Sequence, residues 1–168
     1  MRFRLRTLLI VLAIGPMMPA LGCGKSRPTP VLPEAQSAAL DHGQHFELLS
    51  LEPMARDVDD GDRFHNWKIL GKAVIDDEGR ETLVAALKKG VAEGGPVASC
   101  FEPRHGIHVE HQGHTYDFVI CFKCLWGEAY VDGAAVNGAI PVSRSPQPTF
   151  DDALRGAGVP LPTPSKAQ

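Results

Sequence analysis

An α+β domain is predicted: an antiparallel sheet of four to six strands with a central hairpin, one main helix packed on one face, and a short C-terminal helix. Three observations predict it. Apolar and polar residues alternate on both sides of Gln112-Gly113, Val84, Leu87 and Val91 recur at helical spacing, and short runs rich in aromatic and branched residues are bounded by turn formers.

Taken in order, residues 46–51 and 67–75 read as strands. Asp76 or Asp77 caps a helix over 80–92, which Gly94, Gly95 and Pro96 stop. The hairpin follows, 107–111 and 114–122. Pairing His111 with His114 sets Val109 opposite Tyr116 and Ile107 opposite Phe118, so four apolar side chains share one face. The other face then holds His108 opposite Asp117 and Glu110 opposite Thr115, and reads as polar and solvated. Residues 128–131 add a strand. A last helix is expected over 150–155, with Thr149 and Asp152 at capping-box spacing and Gly158 and Pro160 ending it.

The cysteines and histidines carry the candidate chemistry. Cys100 and His105, then Cys121 and Cys124, form Cys-x4-His followed fifteen residues later by Cys-x2-Cys, the ligand inventory of a Cys3His zinc site. Strand geometry opposes it, since residues three apart on a strand are separated by about 10 Å and point to opposite faces. The same distance keeps Cys121 from bonding Cys124 unless the strand turns, and Phe122 and Lys123 are not turn formers. Extending the hairpin register makes Cys100–Cys124 the nearest disulfide pairing. Thiol redox chemistry at the CxxC and buried inert thiols are the other readings. His108, His111 and His114 alternate faces, so one metal ion would not collect all three. His108 with Asp117 suggests either an exposed charge pair or a carboxylate orienting an imidazole, with no serine placed as nucleophile. Arg104 and His105 lie in a loop from Pro103 to Gly106 suited to holding a small anion.

The ends of the chain read as an address. Arg2, Arg4 and Arg6 precede an apolar run from Leu8 to Ile14, the order of a secretory signal peptide, and Gly15, Pro16 and Pro19 make a spanning helix a poor reading. Ala20-Leu21-Gly22-Cys23 resembles the bacterial lipobox, which implies cleavage after residue 22 and a lipid on Cys23. Ala20 and Leu21 depart from the usual order of large and small residues there. Gly24 stands where an aspartate would favour inner-membrane retention, so the resemblance leans toward the outer membrane. Residues 23–45, with Pro28, Pro30 and Pro33, read as a stiff tether, 46–159 as the single domain, and 160–168 as a disordered tail.

Without Arg2, Arg4 and Arg6, 17 Lys and Arg become 14 against 20 Asp and Glu, a net charge of −6. Such a surface excludes a general nucleic-acid binder.

The stretches CFEPRHGI (100–107) and YDFVICFKC (116–124) resemble an uncharacterised family of exported bacterial proteins, many of them small lipoproteins. The resemblance runs from Lys68 to Leu161, about three fifths of the chain. It implies no activity, substrate or cofactor. The sequence therefore leads to a membrane-anchored, non-enzymatic binding or scaffolding module, with zinc binding through Cys100, His105, Cys121 and Cys124 as the alternative and thiol oxidoreduction third.

Overall fold

The computed structural model describes residues 30–54 and 61–163. The stretch expected to be a signal peptide, Cys23 and the last five residues lie outside them. Ten elements follow in order: α1 (Glu34–His42), β1 (Gln44–Glu52), β2 (Arg63–Phe64), β3 (Trp67–Val74), α2 (Asp77–Glu93), β4 (His105–His111), β5 (His114–Cys121), β6 (Trp126–Val131), β7 (Ala134–Pro141) and α3 (Gln147–Gly156). The strands form one antiparallel sheet ordered β2-β3-β1-β4-β5-β6-β7. Seven strands exceed the four to six expected, because β2 is only two residues long and β7 spreads Val136 and Ile140 among alanines and Gly138.

The central hairpin has the expected register, His111 to His114, Val109 to Tyr116, Ile107 to Phe118 and His108 to Asp117. Gln112 and Gly113 both take positive φ, 52° and 81°, the two-residue turn whose twist matches the strands. Asp132-Gly133 repeats that device between β6 and β7.

All three helices share one core with the inner face of the sheet. Phe46, Leu48, Ile107, Val109, Phe118 and Ile120 meet Leu83, Leu87 and Val91 of α2 and Phe150 and Leu154 of α3. α2 begins at Asp77, three residues before the expected start, because the Asp76 carboxylate accepts a bond from Gly79 N at 2.8 Å. α3 begins at Gln147 rather than at residue 150. Pro146 and Pro148 open it with no side-chain cap, so Thr149 is inside the helix and not its capping residue.

The stretch 23–45 is not a tether throughout. Gln36, Ala39 and Leu40 fall at helical spacing and are buried, which docks α1 on the core, and Asp41 pairs with Lys88 at 2.6 Å. The domain thus reaches back at least to Leu32, which packs on the same core. It also reaches past residue 159, since Leu161 packs on the core and Pro162 is buried.

The outer face is not simply solvated either. Leu49, Leu51, Phe64, Trp67 and Val119 form a second apolar cluster there, joined by Ile69, Phe101 and Tyr130.

Candidate functional site

The sequence-predicted residues Arg104 and His105 come together with others at the end of the sheet where β4 begins and β5 ends. β5 stops at Cys121 and residues 122–125 form the loop that was not expected, with Leu125 in the left-handed region at φ 65° and Cys121 paired with Trp126 across it. That turn carries Phe122 inward to the core and Lys123 outward. It also swings Cys124 beside Cys100. The two cysteines form a disulfide with Cα atoms 5.8 Å apart, although residues 100–104 do not extend the β4 ladder.

Cys121 remains a buried thiol. Its sulfur accepts a bond from Cys124 N at 3.1 Å and its S–H donates to the Glu102 carbonyl at 3.3 Å. Burial pushes its pKa up, so the protonated thiol is the resident form. The four residues proposed for zinc do not form one ligand set: two cysteines are bonded to each other and His105 faces a carboxylate. Among the described residues, no group of three or more His, Cys, Asp or Glu is placed to hold a metal ion.

A cleft of about 330 Å³ opens at this end of the sheet, lined by Glu102, Arg104, His105, Phe122, Lys123, Arg144 and Gln147. Three cations and one carboxylate line it. Lys123 Nζ is 2.7 Å from Glu102 Oε2, and Arg144 donates to the Lys123 carbonyl at 3.1 Å, which fixes its stem on the turn. The Arg104 guanidinium has no hydrogen bond or ion pair to any described residue, while its backbone is bonded on both sides, from Leu51 N and to Ile120 O. Arg104 is therefore a held cation whose five donors meet no acceptor among the described residues.

His105 forms the floor. It is 1% exposed, packed between Phe122 and Phe150 with ring centroids 5.2 and 5.7 Å away. Its Nε2 lies 2.9 Å from Asp151 Oδ1. Burial pushes the imidazole pKa down, the Asp151 bond pulls it up, and Arg104 pushes it down again, leaving it below the usual 6.5. The ring is thus neutral at pH 7, and because a carboxylate only accepts, Nε2 carries the proton. Nδ1 is left as a buried acceptor, and neither it nor the buried Oγ of its β1 partner Ser50 has a hydrogen-bond partner among the described residues. Asp151 stays ionised: burial works to raise its pKa, but the His105 bond and Arg155 outweigh it.

A second polar group sits on the outer face. His108 Nδ1 is 2.6 Å from Asp117 Oδ1, and His65 Nε2 is 3.0 Å from the other carboxylate oxygen. His65 takes a left-handed turn conformation, φ 55°, and stacks on Tyr130 at 3.6 Å. The expected His108–Asp117 pair is therefore a shared, half-buried latch that holds the β2–β3 turn down on the sheet. His111 and His114 lie at the hairpin tip on an open groove, with His114 paired to Asp132 at 2.7 Å.

Sequence reasoning missed Lys123, Arg144, Asp151 and His65. Asp151 is 46 residues from His105, and no spacing rule links a strand start to a C-terminal helix. No protein-family model, no curated protein and no solved structure matches the chain.

Proposed function

We propose that this chain is a binding module of the bacterial cell envelope, held to a membrane by lipid on Cys23, and that its ligand is an anion taken in the Arg104–Lys123–Arg144 cleft. One observation carries the ligand reading: three cations converge on a walled cleft, and the Arg104 guanidinium has no partner among the described residues. On a mature chain of net charge −6 such a concentration of positive charge is a local feature, not a general property of the surface. Guanidinium forks match the oxygens of a phosphate or carboxylate, and Phe122 gives the cleft one apolar wall. Binding rather than catalysis is supported by the surroundings. The His105 acceptor is buried under the floor, and the nearby Cys121 is held as a thiol.

Gly22-Cys23 and the preceding apolar run support the lipid anchor, and Gly24 supports the outer membrane as its destination. Calorimetric titration with inorganic phosphate and with small carboxylates tests the ligand reading. A charge-assisted bond contributes about 1.5–3 kcal/mol, so Arg104→Gln should weaken binding by at least about tenfold without changing the fold. Equal affinity in the variant, or no uptake of any anion by the parent, rejects the cleft as the site.

A further inference from the structure

Resting on the anchor reading above, we propose that the cleft end of the domain faces the membrane and that the cleft takes the phosphate of an anionic phospholipid headgroup in that membrane. The first ground is reach. From Cys23 to Pro30 there are seven Cα-to-Cα steps, at most about 25 Å of chain at full extension. Pro30 is seated against Gly94 at the end of α2, where an added Cβ would meet its Cγ at 3.2 Å, and Leu32 is already in the core. The domain is thus leashed close to the bilayer by the end that carries Gly94.

The cleft belongs to that same end. Glu93, the residue before Gly94, accepts bonds from the Ser143 and Ser145 hydroxyls. Arg144, between those serines, lines the cleft and bonds the Lys123 carbonyl. Contacts therefore run without a gap from the leash attachment to the cleft. The His111–His114 tip is at the opposite pole, a strand length of about 20 Å away.

The chemistry of this pole suits a lipid surface. The leash carries Lys25 and Arg27, and no acidic residue occurs from Gly24 to Pro33. Val31 is 79% exposed beside Pro30, and Val97 is 51% exposed next to Ala98, whose N–H bonds the Cys124 carbonyl at the cleft turn. Cations with flanking exposed apolar side chains are the composition that engages anionic headgroups at an interface. Of the described acids here, Glu102 is paired with Lys123 and Glu93 with Ser143, Ser145 and Lys89, while Glu34, at the start of α1, is exposed. Free inorganic phosphate has the same oxygens, but nothing about it requires the cleft to share a pole with the leash.

The test uses the full-length chain on phosphatidylcholine vesicles with and without phosphatidylglycerol, carrying a fluorophore at Val97→Cys or at Gln112→Cys and a quencher at headgroup depth. The Val97 label should be quenched severalfold more than the Gln112 label, only when phosphatidylglycerol is present, and Arg104→Gln with Arg144→Gln should weaken the effect about tenfold. Equal quenching at both poles, greater quenching at the tip, or insensitivity to the arginine changes overturns the proposal. So does tighter binding of inorganic phosphate than of phosphatidylglycerol vesicles at equal phosphate concentration, which would make the free anion the ligand. The mass of the N-terminal peptide decides the anchor separately. If Cys23 is unacylated, the anchor reading falls, and the headgroup proposal is decided by whether the unacylated chain binds phosphatidylglycerol vesicles with the Val97 pole in contact.

Discussion

Replacing both Cys100 and Cys124 by serine removes a crosslink that spans the irregular segment between α2 and β4. The closed loop holds 25 residues counted from Cys100 to Cys124, one more than their separation of 24. In the chain-entropy account, releasing a loop of that length from the unfolded ensemble costs about 3 kcal/mol of stability. The native geometry should survive, because other bonds hold the same segment. Trp126 Nε1 donates to the Ala98 and Cys100 carbonyls at 3.1 and 2.9 Å, and Ala98 N donates to the Cys124 carbonyl at 2.9 Å. Urea unfolding of the parent and the double serine variant should therefore differ by about 3 kcal/mol, with reductant bringing the parent down to the variant. Thiol counting on the same material adds a second reading. Of Cys100, Cys121 and Cys124, only Cys121 should react, and only after unfolding, because it is buried. A stability loss below about 1 kcal/mol, indifference to reductant, or three free thiols with stoichiometric zinc would refute the crosslink and restore the metal reading.

Three further outcomes follow from the packing and the titrating groups. Gly90→Ala should destabilise by about 1–3 kcal/mol although alanine is the better helix former, because its Cβ would strike the Pro146 ring, with Cδ at 2.9 Å; thermal unfolding checks it, and a stabilised variant contradicts it. Ser50→Ala should be neutral or stabilising by up to about 1 kcal/mol, since it deletes a buried hydroxyl with no partner among the described residues; a loss above that in urea unfolding would show that the hydroxyl is bonded. By NMR, His108 should titrate above 6.5, because the Asp117 hydrogen bond outweighs burial, and His105 below it, because burial dominates. The signs then oppose. The His108 contribution is complete below pH 6.5 and is lost as pH rises through its folded value, whereas the neutral, buried His105 costs stability as pH falls below 6.5. Asp117→Asn should therefore lose its disadvantage relative to the parent as pH rises past the His108 folded value, and a disadvantage that grows with pH would sink the pairing.

The central hairpin was legible because alternation and a two-residue turn specify register together: a one-residue slip would have turned Ile107, Val109, Tyr116 and Phe118 to the outer face. α2 was legible for a similar reason, with Asp76 at its start, Gly94 at its end and one apolar stripe between. α1 was hidden because its buried side chains are two small or polar ones and a single leucine, so the stripe was too faint to separate from a proline-rich flank. β7 diluted Val136 and Ile140 among alanines and Gly138, although Asp132-Gly133 was a hairpin signal in plain view. The turn at 122–125 depends on Leu125 adopting the left-handed region, which is unfavourable for leucine and legible from no local rule. Half of the cleft was therefore visible, as Arg104 and His105, although His105 opens β4 and is not in a loop. Its other half, Lys123 on that turn and Arg144 before α3, is assembled only by tertiary structure.

Amide and side-chain chemical-shift mapping during titration with inorganic phosphate tests the cleft most directly. Shifts should concentrate on Arg104, His105, Lys123, Arg144 and Gln147 and disappear in Arg104→Gln, with the His111–His114 tip unmoved. Shifts confined to the tip, or none at all at saturating phosphate, would contradict the account.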